Sequence, residues 1–218
     1  MSQRLPASAS VAQDVDGAKL TAPSALRNRQ VLTELLQDVA PATGSALEIA
    51  SGTGEHIVAF AQALPGLMWH PSELAADRHA SIDAYRAEAG LDNVAPARAL
   101  DACTAGWAST LPPFDLILCI NLLHLVSADA AQTLLTEASH ALHPGGTLVF
   151  YGPFRRDGAL TSEGDARFDA QLRAADPAIG YKDDQTILQW LTAAGLDIAE
   201  VRDMPANNLA FIARKPSS

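Results

Sequence analysis

The stretch "ALEIASGTGEHIVAF", residues 46–60, joins a short apolar run to an amphipathic helical pattern through small residues and two glycines, Gly52 and Gly54. A strand that ends in such a turn and continues as a helix is the opening unit of an open α/β sheet, where ligands bind beyond the carboxyl ends of the strands. Glycine permits positive φ there, and it lets ligand atoms approach the main chain and the helix N-terminus. A lone G-x-G also serves backbone geometry alone, so the neighbouring strand ends must decide.

The same alternation continues on both sides of this turn. Apolar runs at residues 46–50, 68–73, 94–100, 114–121 and 146–151 read as strands, with helical spacing between them. Upstream, Leu26, Val31, Leu32, Leu35 and Leu36 form an apolar stripe that predicts a helix over about residues 24–38. Downstream, "DDQTILQWLTAAG" predicts a helix closed by Gly195, and "DIAEVRDMP" and "NLAFIARK" predict an antiparallel hairpin at the sheet edge. The expected fold is a Rossmann-like α/β sheet of seven mostly parallel strands, helices on both faces, with an antiparallel C-terminal strand. Residues 21–218 read as one domain, with an insertion over about residues 154–182, and residues 1–20 as a flexible tail.

Composition narrows the function classes. A chain of 218 residues with 48% hydrophobic content can bury a substantial single core. The net charge of −10, without a long Lys/Arg run, argues against a nucleic-acid partner. No apolar run approaches the roughly 20 residues of a membrane span, and the first residues lack the apolar stretch of a secretory signal. A cytoplasmic protein with no membrane partner is expected, monomeric or homodimeric. Cys103 and Cys119 form no C-x-x-C pair and read as buried thiols. No His/Cys/Asp spacing suggests a metal site, and no G-x-S-x-G nucleophile elbow is present.

Two acids complete the pattern begun by the glycines. "LMWHPSE" ends in Glu73, about twenty residues on, placed to accept hydrogen bonds from both hydroxyls of a ribose. "RALDACT" places Asp101 at the next strand end, where it can meet an adenine amino group. Glycines and two acids at successive strand ends describe a nucleoside pocket. Dinucleotides and S-adenosylmethionine both fit that geometry. The dinucleotide fingerprint wants a third glycine where Ile57 stands. Glu48, before the turn, either organises the loop or lies near a ligand ammonium group, and a pyrophosphate gains nothing from it.

The chain from about residue 24 to 214 resembles the class I S-adenosylmethionine-dependent methyltransferases, and most closely the uncharacterised DUF938 group. The resemblance rests on "LRNRQVLTELL", "LEIASGTGEH", "WHPSE", "LCINLLH", "YGPF", "GDARFDAQLRAADP" and "DMPANN". The glycine turn is shared by a whole superfamily, whereas "YGPF", "ARFD" and "DMPANN" together are far narrower. Glu73 replaces a commoner Asp, and Gly164 stands where Asn often precedes "ARFD".

This resemblance implies a methyltransferase that uses S-adenosyl-L-methionine on a small-molecule acceptor. It implies cofactor contacts from Arg27, Asn28, Glu48, Ala50, Ser51, Gly52, Thr53, Gly54, His56, Glu73, Asp101, Ala102 and Asn121. Arg27 and Asn28 lie on the first helix, which in this architecture can fold over the cofactor as a lid; a solvated helix face is the alternative reading. The acceptor side is expected after the fourth and fifth strands, with His124 and Tyr151 as catalytic candidates. Tyr151, Pro153, Phe154, Arg167, Asn207 and Asn208 are the substrate-binding candidates.

Several of these residues have a second reading. His124 is a base, or a histidine packed at a helix start. His56 contacts the cofactor or caps its helix, and His143 beside "PGG" reads as structural. Arg167, Asp169 and Arg173 pair with one another or with an acidic acceptor. Asn207 and Asn208 are also ordinary turn residues. A silent cofactor-binding scaffold and a protein methyltransferase are the alternative functions.

Overall fold

The structure, a computed structural model, describes residues 12–217. Its first elements, β1 (Gln13–Asp16) and β2 (Lys19–Thr21), pair as an antiparallel hairpin. This corrects the expectation of a loose tail over residues 12–20, while residues 1–11 lie outside the described residues. A hairpin of this length is marginal by itself. It is held from outside: Leu20 N–H donates to Ser81 Oγ at 2.8 Å, and Lys19 pairs with Glu88 and lies over the Tyr85 ring.

Seven further strands form the main sheet: β3 (Gly44–Ile49), β4 (Leu67–Glu73), β5 (Arg98–Ala99), β6 (Phe114–Ile120), β7 (Leu142–Pro153), β8 (Asp197–Met204) and β9 (Asn208–Arg214). Their order is β5-β4-β3-β6-β7-β9-β8, and only β9 runs against its neighbours. The expected Rossmann-like sheet of seven mostly parallel strands, with its reversed strand near one edge, is therefore the observed one. Strand β5 is much shorter than the run 94–100. Ala95 N–H still donates to Trp69 O at 2.8 Å, but Pro96 has no N–H, and Ala97 N–H turns to Asp83 Oδ1.

Helices α1 (Pro23–Val39), α2 (Glu55–Ala63) and α3 (Ala76–Ala89) lie against one face, and α4 (Ala128–His140) and α6 (Asp184–Ala193) against the other. Leu32, Leu36, Ile57, Phe60 and Trp69 fill the first core layer. Phe114, Leu134, Phe150, Ile187 and Phe211 fill the second. Because both faces are covered, the β6 sequence "FDLILCI" is apolar almost throughout instead of alternating. The insertion carries α5 (Glu163–Ala175), capped by Ser162 Oγ, which accepts from Asp165 N–H at 3.1 Å.

Candidate functional site

The glycine turn lies between β3 and α2. Ala50, Gly52 and Gly54 all have positive φ, at 55°, 60° and 96°. A Cβ on Gly54 would stand 2.7 Å from Ile82 Cα, so only glycine lets α2 begin against α3. A Cβ on Gly52 meets nothing within 4 Å, so that glycine borders open space. The turn is tied to the next strand: Ser51 N–H donates to Ser72 O at 2.8 Å, and Gly52 N–H donates to Glu73 Oε2 at 3.0 Å. Glu73 Oε1 accepts from Leu74 N–H at 2.8 Å. At the end of β5, exposed Asp101 accepts from Cys103 N–H through Oδ1, and Ala102 O accepts from the Trp107 indole.

Asn121 follows β6 with φ of 56°, and its N–H donates to Tyr151 O at 2.8 Å. Ala50 and Asn121 are therefore two non-glycine left-handed residues at the carboxyl ends of adjacent central strands. From β3 the chain crosses to β4 on one side, and from β6 to β7 on the other. That divergence opens the crevice where ligands bind in doubly wound sheets, and strained backbone collects at such places.

Glu48 sits at this crevice, 1% exposed, and its Oε2 has no hydrogen-bond partner. Burial raises its pKa to about 8, the Ser51 hydrogen bond opposing and the Glu73 charge adding to the rise. At pH 7 the carboxyl is therefore mostly protonated, and a cationic donor brought to it would favour its ionised form.

The N-terminal segment is fastened over the turn through Glu55. Thr21 Oγ1 donates to its Oε1 at 2.6 Å, while Ala22 N–H and Thr53 Oγ1 donate to its Oε2, each at 2.9 Å. His56 Nε2 donates to Ala25 O at 3.1 Å, and its ring stacks on Phe60. Burial lowers the His56 pKa to about 4, so the ring is neutral at pH 7. The ring anchors α1 and does not cap its own helix, α2, which begins at Gly54 without a side-chain cap. Asn28 is half-buried and Arg27 exposed on that helix.

On the acceptor side, His124 lies buried on a 3₁₀ turn, Leu123–Leu125. Its ring meets Phe168 and Tyr181 edge-on, with centroids 5.8 and 6.0 Å away. Burial, then the Lys182 charge, depresses its pKa to about 3, which leaves the imidazole neutral and weakly basic. Tyr151 is 2% exposed on the α1 face of β7, and its hydroxyl has no partner. Burial raises the phenol to about 12; the Asn208 amide acts against this, yet its Nδ2 is committed to Pro205 O at 2.9 Å. Phe154 corrects an expectation, because it packs in the second core layer 4.9 Å from the Phe211 ring. That burial leaves it no face for a substrate. Pro153 is half-buried at the strand end, and Arg167 is exposed on α5.

The chain matches the family described as "Protein of unknown function (DUF938)" over residues 19–215. It belongs to the DUF938 family. Among solved structures, this DUF938 protein is similar to an O-methyltransferase family protein from Burkholderia thailandensis, with a TM-score of 0.76 and 17% identity over 89% of this chain and 58% of that one. It is also similar to PigF with SAH, at 0.74 and 18% identity, over 88% and 56% of the two chains. A third is an O-methyltransferase family 2 protein from Planctomyces limnophilus in complex with apigenin, at 0.70 and 20%, over 88% and 65%. The chain thus spans under two thirds of these neighbours, and the likeness is one of fold.

The motifs narrowest to DUF938 meet in space. Arg156, just after "YGPF", pairs with Asp203 at 2.6 Å, and its Nη2 donates to Asn207 O and Asn208 O. Asn207 Nδ2 donates to Asp165 Oδ2 at 3.0 Å, which joins "DMPANN" to "GDARFD". Asn207 also has φ of 60°, the left-handed turn geometry its residue type favours. Asp169 accepts from Arg155 and Arg173, each at 2.9 Å. Reading the sequence alone misses Arg155, Arg156 and Lys182; the adjacent arginines after "YGPF" are a signal, and Lys182 has none. Among the described residues no group of three His, Cys, Asp or Glu side chains is gathered for a metal, and no helix is long and apolar enough to cross a membrane.

Proposed function

We propose that this protein is an S-adenosyl-L-methionine-dependent methyltransferase acting on a small-molecule acceptor, as a cytoplasmic monomer or homodimer. The observation that carries this reading is the buried, unpartnered Glu48 carboxylate beside the glycine turn. The ammonium of a bound S-adenosylmethionine supplies the donor that Glu48 Oε2 lacks, and open space beside Gly52 admits the ligand close to the main chain. Glu73 and Asp101 accept hydrogen bonds from ribose hydroxyls and the adenine amino group. The neighbouring fold is seen with SAH in PigF, which supports the same ligand class here.

The cofactor's sulfonium already activates the methyl group it carries. The protein's part is to orient the acceptor and exclude water. Asn121 and the loop around His124 bound the acceptor side, and the Tyr151 hydroxyl, protonated at any physiological pH, offers a hydrogen bond. Because His124 is only weakly basic, it removes a proton poorly. This arrangement favours acceptors that ionise by themselves, or amines that are already neutral. The complex of one neighbour with apigenin supports a small molecule over a protein substrate.

Methyl transfer from labelled S-adenosylmethionine to a panel of phenols, thiols, amines and carboxylates tests the reading. Transfer to at least one of them is expected. Cofactor binding without transfer to any of them leaves the scaffold alternative standing.

A further inference from the structure

Gly180, Tyr181 and Lys182 stitch together the two loops that leave the central strands. Gly180 N–H donates to His124 O at 3.0 Å, and Arg155 N–H donates to Lys182 O at 2.9 Å. Between them, Tyr181 N–H donates to Asp169 Oδ1 at 2.7 Å, and the Tyr181 ring closes on His124. Lys182 then reaches back beneath the 3₁₀ turn. Its Nζ donates to Val126 O, and to Gly180 O at 3.1 Å.

The environment of that ammonium is unusual. Lys182 is 8% exposed, and both of its oxygen partners are neutral carbonyls. Among the described residues no carboxylate lies within ion-pair distance of Nζ. Asp169, the carboxylate that acts on it, is already taken by Arg155 and Arg173. The other groups that face it are Arg173 from α5, Cys103 from the loop after β5, and His124 from the 3₁₀ turn. Neither of the last two supplies negative charge at pH 7: His124 is neutral, and burial with the Asp101 charge pushes the Cys103 thiol to about 11. Burying a cation without a counter-charge is costly, and an ammonium has a third N–H to offer. Burial and the Arg173 guanidinium lower the Lys182 pKa to about 8, the signature of a cation short of negative charge.

The side chains packed around His124 are aromatic and apolar. The rings of Phe168 and Tyr181 stand 6.1 Å apart at 72°, both against His124, with Leu125 and Leu160 packed around them. An aromatic ring brought beside this cluster would meet it edge-on or offset.

We propose that Lys182 is an anchor for the methyl acceptor, and that the acceptor is an aromatic molecule carrying an anionic oxygen, as a phenolate or a carboxylate. This rests on the methyltransferase reading and names the substrate class of the same site. A phenolate bound beside Lys182 arrives without its proton, which removes the need for a strong base at His124.

The test uses the full chain loaded with S-adenosylhomocysteine, titrated calorimetrically with 4-nitrophenolate, benzoate and the neutral 4-nitrobenzyl alcohol. At least one anion should bind about 10-fold or more tighter than the alcohol, the scale of one charge-assisted hydrogen bond. Preference between the two anions separates phenolate from carboxylate. Bound 4-nitrophenol should also ionise at lower pH by absorbance. Lys182→Met should lose the anion preference with S-adenosylhomocysteine affinity unchanged, whereas Lys182→Arg should keep it. If Lys182→Met does not fold, the wild-type comparison and Lys182→Arg decide. Equal binding of the alcohol and the anions, no anion binding, or an unchanged preference in Lys182→Met overturns the proposal. Failure of S-adenosylhomocysteine itself to bind overturns instead the methyltransferase reading, and the anion titration is then made on the ligand-free chain.

Discussion

Gly52 N–H donates to Glu73 Oε2 at 3.0 Å, so the glycine turn of one strand is held in place by the carboxylate that ends the next. The N–H groups of Leu74 and Ala75 also donate to Glu73, so about one of the carboxylate's four lone-pair sites is left for a ligand hydroxyl, and the Gly52 contact fixes the distance between the two parts of the proposed nucleoside site. Glu73→Ala removes both functions. Cofactor affinity should fall by about 1.5–3 kcal/mol, the range for hydrogen bonds to a charged group. Thermal stability should also fall, by about 1–3 kcal/mol, because the N–H groups of Gly52, Leu74 and Ala75 lose their acceptor. Calorimetric titration of the variant measures the first and a melting curve the second; unaltered affinity would show that Glu73 does not touch the ligand.

Glu48 makes a prediction in pH. Its folded pKa of about 8 lies above its ordinary 4.5, so the native state holds a proton that the unfolded chain releases between those values. Stability of the ligand-free protein is therefore lost as pH rises through that window. Glu48→Gln should stabilise the ligand-free protein at pH 8 by roughly 1–3 kcal/mol, because each tenfold difference in proton affinity between the folded and unfolded chain is worth about 1.4 kcal/mol. The same variant should bind S-adenosylmethionine more weakly. In the wild type, binding an ammonium at pH 7 should release a proton, read as a dependence of calorimetric heat on the buffer's ionisation enthalpy.

Tyr151→Phe should separate stability from function. The wild-type hydroxyl is buried without a partner, so its removal should leave the ligand-free protein equally stable or up to about 1 kcal/mol more stable. Turnover on any accepted substrate should fall, with no change in pH profile. Destabilisation beyond about 1 kcal/mol would mean that the hydroxyl is satisfied in the folded protein.

Asp169 holds Arg155, Arg173 and the Tyr181 N–H together in the insertion. Asp169→Ala should cost about 2–4 kcal/mol, less than a fully buried pair because both arginines are partly exposed. Burial pushes its carboxyl up, but the hydrogen bonds from Arg173, Tyr181 and Arg155 together outweigh this and hold it below its ordinary 3.8, so this stabilisation is present above that pH and is lost on acidification below it. Urea unfolding as a function of pH measures both.

The fold is legible where local pattern and tertiary environment agree. The turn after Ile49 needs glycine for a reason visible in the residue type, and the almost wholly apolar β6 announces a strand covered on both faces. Strand β5 is shorter than its sequence suggests because the run 94–100 is apolar while Pro96 breaks its ladder. The β1–β2 hairpin escapes a sequence reading because its alternation is too short and charged, and its partners, Ser81 and Glu88, lie far along the chain. Glu48, Glu73 and Asp101 can be placed from spacing along successive strands. Lys182 and Arg156 cannot, since their roles come from segments distant in sequence meeting above the sheet. Phe154 shows the reverse error, a residue next to a legible motif whose side chain points into the core.

Cofactor choice is tested most directly by one calorimetric comparison, in which the wild-type chain is titrated separately with S-adenosylmethionine, S-adenosylhomocysteine and NAD. The first two should bind and raise the melting temperature by mass action, and NAD should do neither. Binding of NAD alone, with no heat from either sulfur compound, would contradict the methyltransferase reading while leaving the fold as described.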